Sequence, residues 1–331
     1  MENQSYPLNA RRQRGSTAMR ELTAGLHLSH RAFIQPLFVE EGLTDTRLVQ
    51  GLEGVYVDTV ESILSSMEAD VRRGVNKFLL FPVPVNRSER PSDFSFAASL
   101  TKKIKEHFGN DIWLALDCCL CSYTTHGHCG LLNEEGTGVL NNASVKILSE
   151  YALQLALAGA DCIAPSDMMD GRIAAIRSKL DAAELDTVSV LSYSAKFSSQ
   201  WYGPFRDACH SAPVAAGLRD RKSYQLSVFD AGAALAAAAR DEKEGADMLM
   251  VKPAGHFTDI IYRLRQNTNK PIVAYHVSGE YAAIESLARQ GLLQREQAHL
   301  ELWASLQRAG AHSIISYAAR EARQWIENMA Y

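Results

Sequence analysis

The stretch Gly245-Ala-Asp-Met-Leu-Met-Val-Lys252-Pro-Ala254 is four apolar residues, Met248 to Val251, ended by a cation and a proline. An uninterrupted apolar run of this length reads as a strand buried on both faces, as in a parallel sheet. A lysine at the mouth of such a strand loses hydration, which disfavours its ammonium form. The neutral amine is a nucleophile that can form a Schiff base with a carbonyl carbon. By itself Lys252 could equally extend to water or pair with a carboxylate.

Short apolar runs of the same kind recur at Phe33–Phe38, Phe78–Phe81, Ile112–Leu116, Asp161–Ala164, Val188–Tyr193, Ile272–Tyr275 and Ser313–Tyr317. Helical spacing fills Thr59–Arg73, Ala97–Phe108, Ser144–Ala158, Gly171–Ala183, Ala231–Glu244 and Gln294–Ala309. With Met248–Val251 this makes eight strands alternating with helices, the pattern of a parallel (β/α)8 TIM barrel. A doubly wound open sheet is the competing arrangement, but no Gly-x-Gly-x-x-Gly follows a strand. No linker divides the chain, so the expected organisation is an N-terminal arm over 1–30 and one catalytic barrel over 31–331. The Arg11-Arg12-Gln13-Arg14 cluster reads as a basic arm lying on another subunit.

A chain of 331 residues, 47% hydrophobic and 22% charged, has the composition of a soluble globule. A net charge of -4 gives no footprint for nucleic acid or an anionic membrane surface. No apolar run approaches the roughly 18 residues of a membrane span, and the polar start is not a secretory signal. Four of the six cysteines fall between Cys118 and Cys129, which reads as a metal site in a reducing cytoplasm rather than a disulfide framework.

Long connections follow the second, third and fifth strands, at Pro82–Phe96, Cys118–Asn142 and Ala195–Asp230. In a barrel all three lie at the C-terminal face, where active sites form. Asp117, Ser166, Asp167, Lys196, Lys252, Ser278 and Tyr317 also stand at strand ends, gathering polar groups at one mouth. In Asp117-Cys-Cys-Leu-Cys-Ser-Tyr-Thr-Thr-His-Gly-His-Cys-Gly130, residues two apart share a face. Cys119 and Cys121 can therefore converge while Cys118 points away, and Cys129 returns through a glycine turn. Three thiolates select Zn²⁺, and three ligands with an open position suit catalysis. A fourth ligand, His126 or His128, would make the site a structural one. Lys196 follows the fifth strand, so it should approach Lys252, and two amines disfavour each other's protonation. Arg206, Arg221, Lys222 and Gln225 in the next loop can grip a carboxylate.

At 117–130, and in Ala164-Pro-Ser-Asp-Met-Met-Asp-Gly171, Ser192-Tyr-Ser-Ala-Lys196, Tyr202-Gly-Pro-Phe-Arg206, Met250-Val-Lys-Pro253 and Val277-Ser-Gly-Glu280, the chain resembles the 5-aminolevulinate dehydratases, also called porphobilinogen synthases. The resemblance runs from about Arg11 to the C-terminus. It implies condensation of two 5-aminolevulinate molecules to porphobilinogen with loss of two waters, in tetrapyrrole synthesis. By matching position, Lys252 and Lys196 would hold the substrate ketones as Schiff bases. Cys119, Cys121 and Cys129 would bind zinc, with Asp117 and Ser166 at the same subsite. Arg206, Arg221 and Gln225 would take one carboxylate, and Ser278 and Tyr317 the other. The family also implies a homo-octamer, with the arm around a neighbour.

The chain departs from the family pattern at Cys118, at Leu52-Glu53-Gly54, at Pro82, at Trp201 and in the length of Ala212–Asp220. These departures bear on lid closure and turnover. The family's magnesium-stimulated members carry a glutamate where this chain has Ala237, so magnesium activation is not expected. A class I aldolase would also use the lysines but needs no three-cysteine site. A scaffold would retain the zinc as a staple and lose a chemical residue, and none is lost.

Overall fold

The computed structural model describes residues 9–214 and 217–329. Among the described residues ten strands form: β1 Phe33–Glu40, β2 Arg47–Leu48, β3 Tyr56–Asp58, β4 Lys77–Val83, β5 Trp113–Cys118, β6 Cys162–Pro165, β7 Ser189–Lys196, β8 Met248–Lys252, β9 Ile272–His276 and β10 Ser313–Ser316. Eight of them, β1 and β4 to β10, pair in parallel, each with the next. β10 then returns to β1 through Phe33↔Ile314 and Ile34↔Ile315, so the barrel is closed. Closure explains the uninterrupted apolar runs. One face of each strand fills the barrel and the other meets helices, so Leu249, Met250 and Val251 are all fully buried.

The helices carry their apolar stripes at the expected spacing. Ala97, Leu100, Thr101 and Ile104 are the buried positions of Ser95–Phe108, each three or four residues from another. Burying one Leu or Ile of this kind contributes about 1.5–3 kcal/mol. No helix among the described residues is long and apolar enough to cross a membrane.

All eight expected strands are present, with ends moved by one to three residues. The largest shift is in β7, which runs through Ser194 and Ala195 to Lys196 and puts that lysine on the strand itself. The sequence reading missed the antiparallel pair β2–β3, which is clamped onto β1 through Phe38↔Val57. At two and three residues these strands are too short to show a period. It also missed helices Gly203–Ala208, Thr258–Asn267, Ser278–Arg289 and Ala322–Glu327. In Thr258–Asn267 only Ile260, Ile261 and Leu264 are buried, a stripe too narrow to stand out.

Of the expected arm, residues 1–8 lie outside the described residues. The remainder holds two short helices, Asn9–Arg12 and Thr17–Leu22. Leu22 is 78% exposed.

Candidate active site

β7 and β8 end in register, with Lys196 directly opposite Lys252. Neighbouring strands lie only about 4.8 Å apart, so the two amines rise from adjacent positions, both buried. Lys252 is walled by aromatic rings. Its Nζ lies 4.1 Å from the ring centre of Tyr275, 4.8 Å from Phe205, 5.1 Å from Tyr193 and 5.4 Å from Tyr202. Burial, reinforced by the charge of Lys196, pulls its pKa down to about 7. Ring faces favour an ammonium by only about 0.5–2 kcal/mol, so burial prevails. The Lys196 amine donates to the Ser166 carbonyl.

Asp117 closes β5 in the same mouth. One of its carboxyl oxygens is enclosed without a partner. Burial raises its pKa to about 6, against the opposing pull of the Ser166 hydroxyl and the two lysines. Asp167 is fully enclosed, and burial raises it to about 7 although the Arg172 guanidinium pulls the other way.

The Sγ atoms of Cys119, Cys121 and Cys129 all lie within 4.8 Å of one another, and those of Cys119 and Cys121 are 3.4 Å apart. Tetrahedral Zn–S bonds would place sulfurs about 3.8 Å apart. The local path comes from Gly127, whose φ of +71° turns the chain back. A Cβ there would stand 2.4 Å from the Ala212 carbonyl oxygen. The three sulfurs also compete for one negative charge: Cys129 is held low by hydrogen bonds from Cys119 and Cys121, while burial pushes Cys119 up. A divalent cation would allow all three to ionise, so this donor set fits a thiophilic metal.

Neither histidine joins the group. Both ring nitrogens of His128 are engaged, with the Tyr224 hydroxyl at 3.0 Å and the Leu218 carbonyl at 2.8 Å. His126 Nδ1 accepts from the His128 amide. Cys118 points away as expected, but β5 ends there. Cys119 and Cys121 enter a turn closed by the Tyr123 and Thr124 amides on the Leu120 carbonyl, so the two thiols converge through that turn and not by alternation along an extended chain. The Cys118 thiol reaches the Leu148 carbonyl inside the core and does not stand beside the metal group.

The loop over the mouth carries the remaining candidates. Arg221 is buried and spends one nitrogen on the carbonyls of Gly127 and Ser211, at 3.0 and 2.6 Å. Its Nε, the Nε of Arg206 and both amide atoms of Gln225 are enclosed without partners. Burial and the neighbouring Arg221 lower the pKa of Arg206. An enclosed polar group without a partner costs about 1–3 kcal/mol, and a bound carboxylate would satisfy several at once. Lys222 lies outside this group, paired with Asp220 at the surface. On the opposite side, Ser278 Oγ donates to the Trp201 carbonyl and accepts from the Phe205 amide, docking the loop. Tyr317 Oη lies 3.4 Å from Tyr275 Oη.

The loop is fastened at its outer edge by half-exposed charges. Arg47 pairs with Glu40 at 2.9 Å and with Asp207 at 3.6 Å, and His210 reaches Glu40 at 3.3 Å. Ala215 and Ala216, within the segment Ala212–Asp220 singled out for its length, lie outside the described residues. Trp201 stacks on His256 with ring centres 4.6 Å apart, so its larger ring is accommodated. Pro82 sits in β4 opposite Val39, and Leu52 is fully buried. The sequence reading did not single out the walls Tyr193, Tyr202 and Tyr275. Two of these lie inside quoted motifs, but nothing in a linear string shows which side chains ring an amine.

The family model "Delta-aminolevulinic acid dehydratase" matches residues 8–325. Among curated proteins, the delta-aminolevulinic acid dehydratase of Bacillus subtilis is 38% identical over 320 residues, covering 96% of this chain and 97% of that one. The Escherichia coli protein of the same name is 40% identical over 313 residues, 93% of this chain and 94% of that one. Among solved structures, a delta-aminolevulinic acid dehydratase (porphobilinogen synthase) from Toxoplasma gondii, in complex with the reaction product porphobilinogen, superposes with a TM-score of 0.92. It is 35% identical, with 98% of this chain and 93% of that one covered. Similarity sustained along the full length, with the barrel it implies closed in the structure, places the chain: it belongs to the delta-aminolevulinic acid dehydratase family.

Proposed function

We propose that this chain is a porphobilinogen synthase that condenses two molecules of 5-aminolevulinate into porphobilinogen and releases two waters. The observation that carries the reading is the register of Lys196 against Lys252 beside a cluster of three buried thiols. One catalytic amine would serve an aldolase. Two adjacent ones suit a reaction that must hold two ketones at once.

In this reading the neutral Lys252 amine attacks the ketone carbon of one substrate, and loss of water leaves a Schiff base in a pocket of aromatic walls. Lys196 does the same for the second substrate, which converts the condensation into a reaction between tethered neighbours. Asp117, raised toward neutrality, exchanges protons at the shared subsite with Ser166 beside it. Arg206, Arg221 and Gln225 orient one carboxylate, and Ser278 and Tyr317 the other. The buried loop side chains Tyr202, Arg221 and Gln225 would keep water from the imines. Zinc is the metal we assign to Cys119, Cys121 and Cys129, where it would supply Lewis acidity to the second substrate.

The free and buried state of all six cysteines supports a reducing compartment, the cytoplasm. A second copy of the chain is the proposed partner, in an octamer. The nearly complete exposure of Phe229 and the exposed Leu22 of the arm support a surface that another subunit covers. The deciding assay is incubation of the pure protein with 5-aminolevulinate. Appearance of a pyrrole supports the reading and its absence refutes it.

Reductive trapping of substrate at Lys252 is expected to rise with pH about a midpoint near 7, because the amine loses its proton and gains a nucleophilic lone pair across that range. A rate constant that stays flat between pH 6 and 9 would show the amine is not the titrating nucleophile.

Magnesium is not expected to stimulate turnover. Ala237 is buried and carries no oxygen ligand. The nearby carboxylates are engaged: Asp230 caps its helix through the Ala233 amide, and Asp241 is held by Arg172 and Arg240. Mg²⁺ needs at least one free carboxylate. A saturable rise in rate on titrating zinc-replete protein at fixed ionic strength would overturn this.

A further inference from the structure

One arginine takes no part in that chemistry yet has no exposure to water. Arg172, the first residue of helix Arg172–Ala182, is fully buried, as are Asp167, Ser192 and Asp241 around it. Its Nη2 donates to Asp241 Oδ2 at 3.1 Å and to Ser192 Oγ at 3.2 Å, and its Nη1 donates to the Met169 carbonyl at 3.2 Å. Its Nε stands 3.7 Å from Asp167 Oδ2. The guanidinium thus joins three separate elements: the turn after β6, strand β7 and the helix Ala231–Lys243. Its planar fork can meet all of them at once.

The turn it grips is an irregular one. Met168 has a φ of +73°, a conformation uncommon for a residue with a side chain. The Met169 amide closes the turn on Asp167 Oδ1 at 2.7 Å. One residue before Asp167 stands Ser166, whose carbonyl holds the Lys196 amine. Among the described residues no comparable link reaches Lys252, which is set by β8 and its aromatic walls.

We infer that Arg172 is a positioning residue for Lys196: it fixes the Ser166–Met169 turn, and through the Ser166 carbonyl it fixes where the second amine points. This rests on the proposal that both lysines hold substrate. The bland alternative is that the buried ion pairs serve only the fold. Removing one partner of such a network strands the others, so Arg172→Ala would test folding alone. Arg172→Lys keeps the charge and gives up the fork. Asp241→Asn keeps the shape and weakens the anchor from a helix outside the barrel, away from either amine.

The experiment uses the zinc-replete full-length protein. Parent and variants are incubated with 5-aminolevulinate and borohydride, label on each lysine is mapped by peptide mass, and turnover and melting temperature are recorded alongside. Positioning predicts label on Lys252 within twofold of the parent in both variants. Turnover and label on Lys196 should fall together, about tenfold in Arg172→Lys and less in Asp241→Asn, a loss that a displacement below an ångström can produce. If Arg172→Lys does not fold, the ratio of the two labels in Asp241→Asn decides. Equal loss at both lysines, or unchanged Lys196 label in a folded variant, overturns the inference and leaves the proposed activity intact. A parent chain labelled at neither lysine overturns the activity, and this inference with it.

Discussion

Replacing Lys252 by methionine or arginine is expected to lower turnover by roughly four orders of magnitude or more, the scale of removing a covalent nucleophile. Methionine keeps the length of the side chain and suits the apolar walls of Tyr275, Phe205, Tyr193 and Tyr202, so the barrel should fold without penalty. Arginine keeps the charge that burial resists and cannot be deprotonated in a protein. If the amine acts only as a charge, arginine should retain activity and methionine should not. If it acts as a nucleophile, both should be inactive, and borohydride should fix no substrate at position 252. A Lys252→Arg protein turning over at the parental rate would remove the assignment.

If the three thiols hold the zinc proposed for them, its loss is expected to have an effect of similar size on rate and a small one on the fold. A chelator should reduce activity to background while most of the far-ultraviolet circular dichroism survives, because the closed barrel buries its core without help from the thiol loop. Unfolding on chelation would show that the metal is a staple. The cysteines themselves give the sharper comparison. Cys119→Ser should lose zinc, since its sulfur lies 3.4 Å from that of Cys121 within the cluster. Cys118→Ser should keep full stoichiometry, since its thiol faces the Leu148 carbonyl on the other side of the strand. Equal loss in both would mean that the two neighbouring thiols share the site.

The parts of this molecule that could be read from the string are those fixed by short-range periodicity. Strand β8 was visible because both faces are apolar. Cys118 was rightly set apart from Cys119, but for another reason than alternation: β5 ends at Cys118, and a turn brings Cys119 and Cys121 together. Lys196 opposite Lys252 followed from strand order alone. The hairpin β2–β3 was not legible, because its pairing with β1 is a tertiary event between segments too short to carry a signal. Arg172 was hidden for a different reason. A single arginine at a helix start reads as a solvated charge, and only the fold shows three elements converging on it. The exclusion of His128 from the thiol cluster likewise depended on where Tyr224 and Leu218 come to rest.

The two fastenings of the site differ in how far salt can reach them. Arg172 and its carboxylates are sealed from solvent, so mobile ions have no path to them. The clasp of Glu40, Arg47, Asp207 and His210 on the loop edge is open to water, and exposed charges are screened over about 8 Å at physiological ionic strength. Raising the salt concentration therefore loosens the outer edge of the loop, while the seat of the amine beneath it stays where the fold put it.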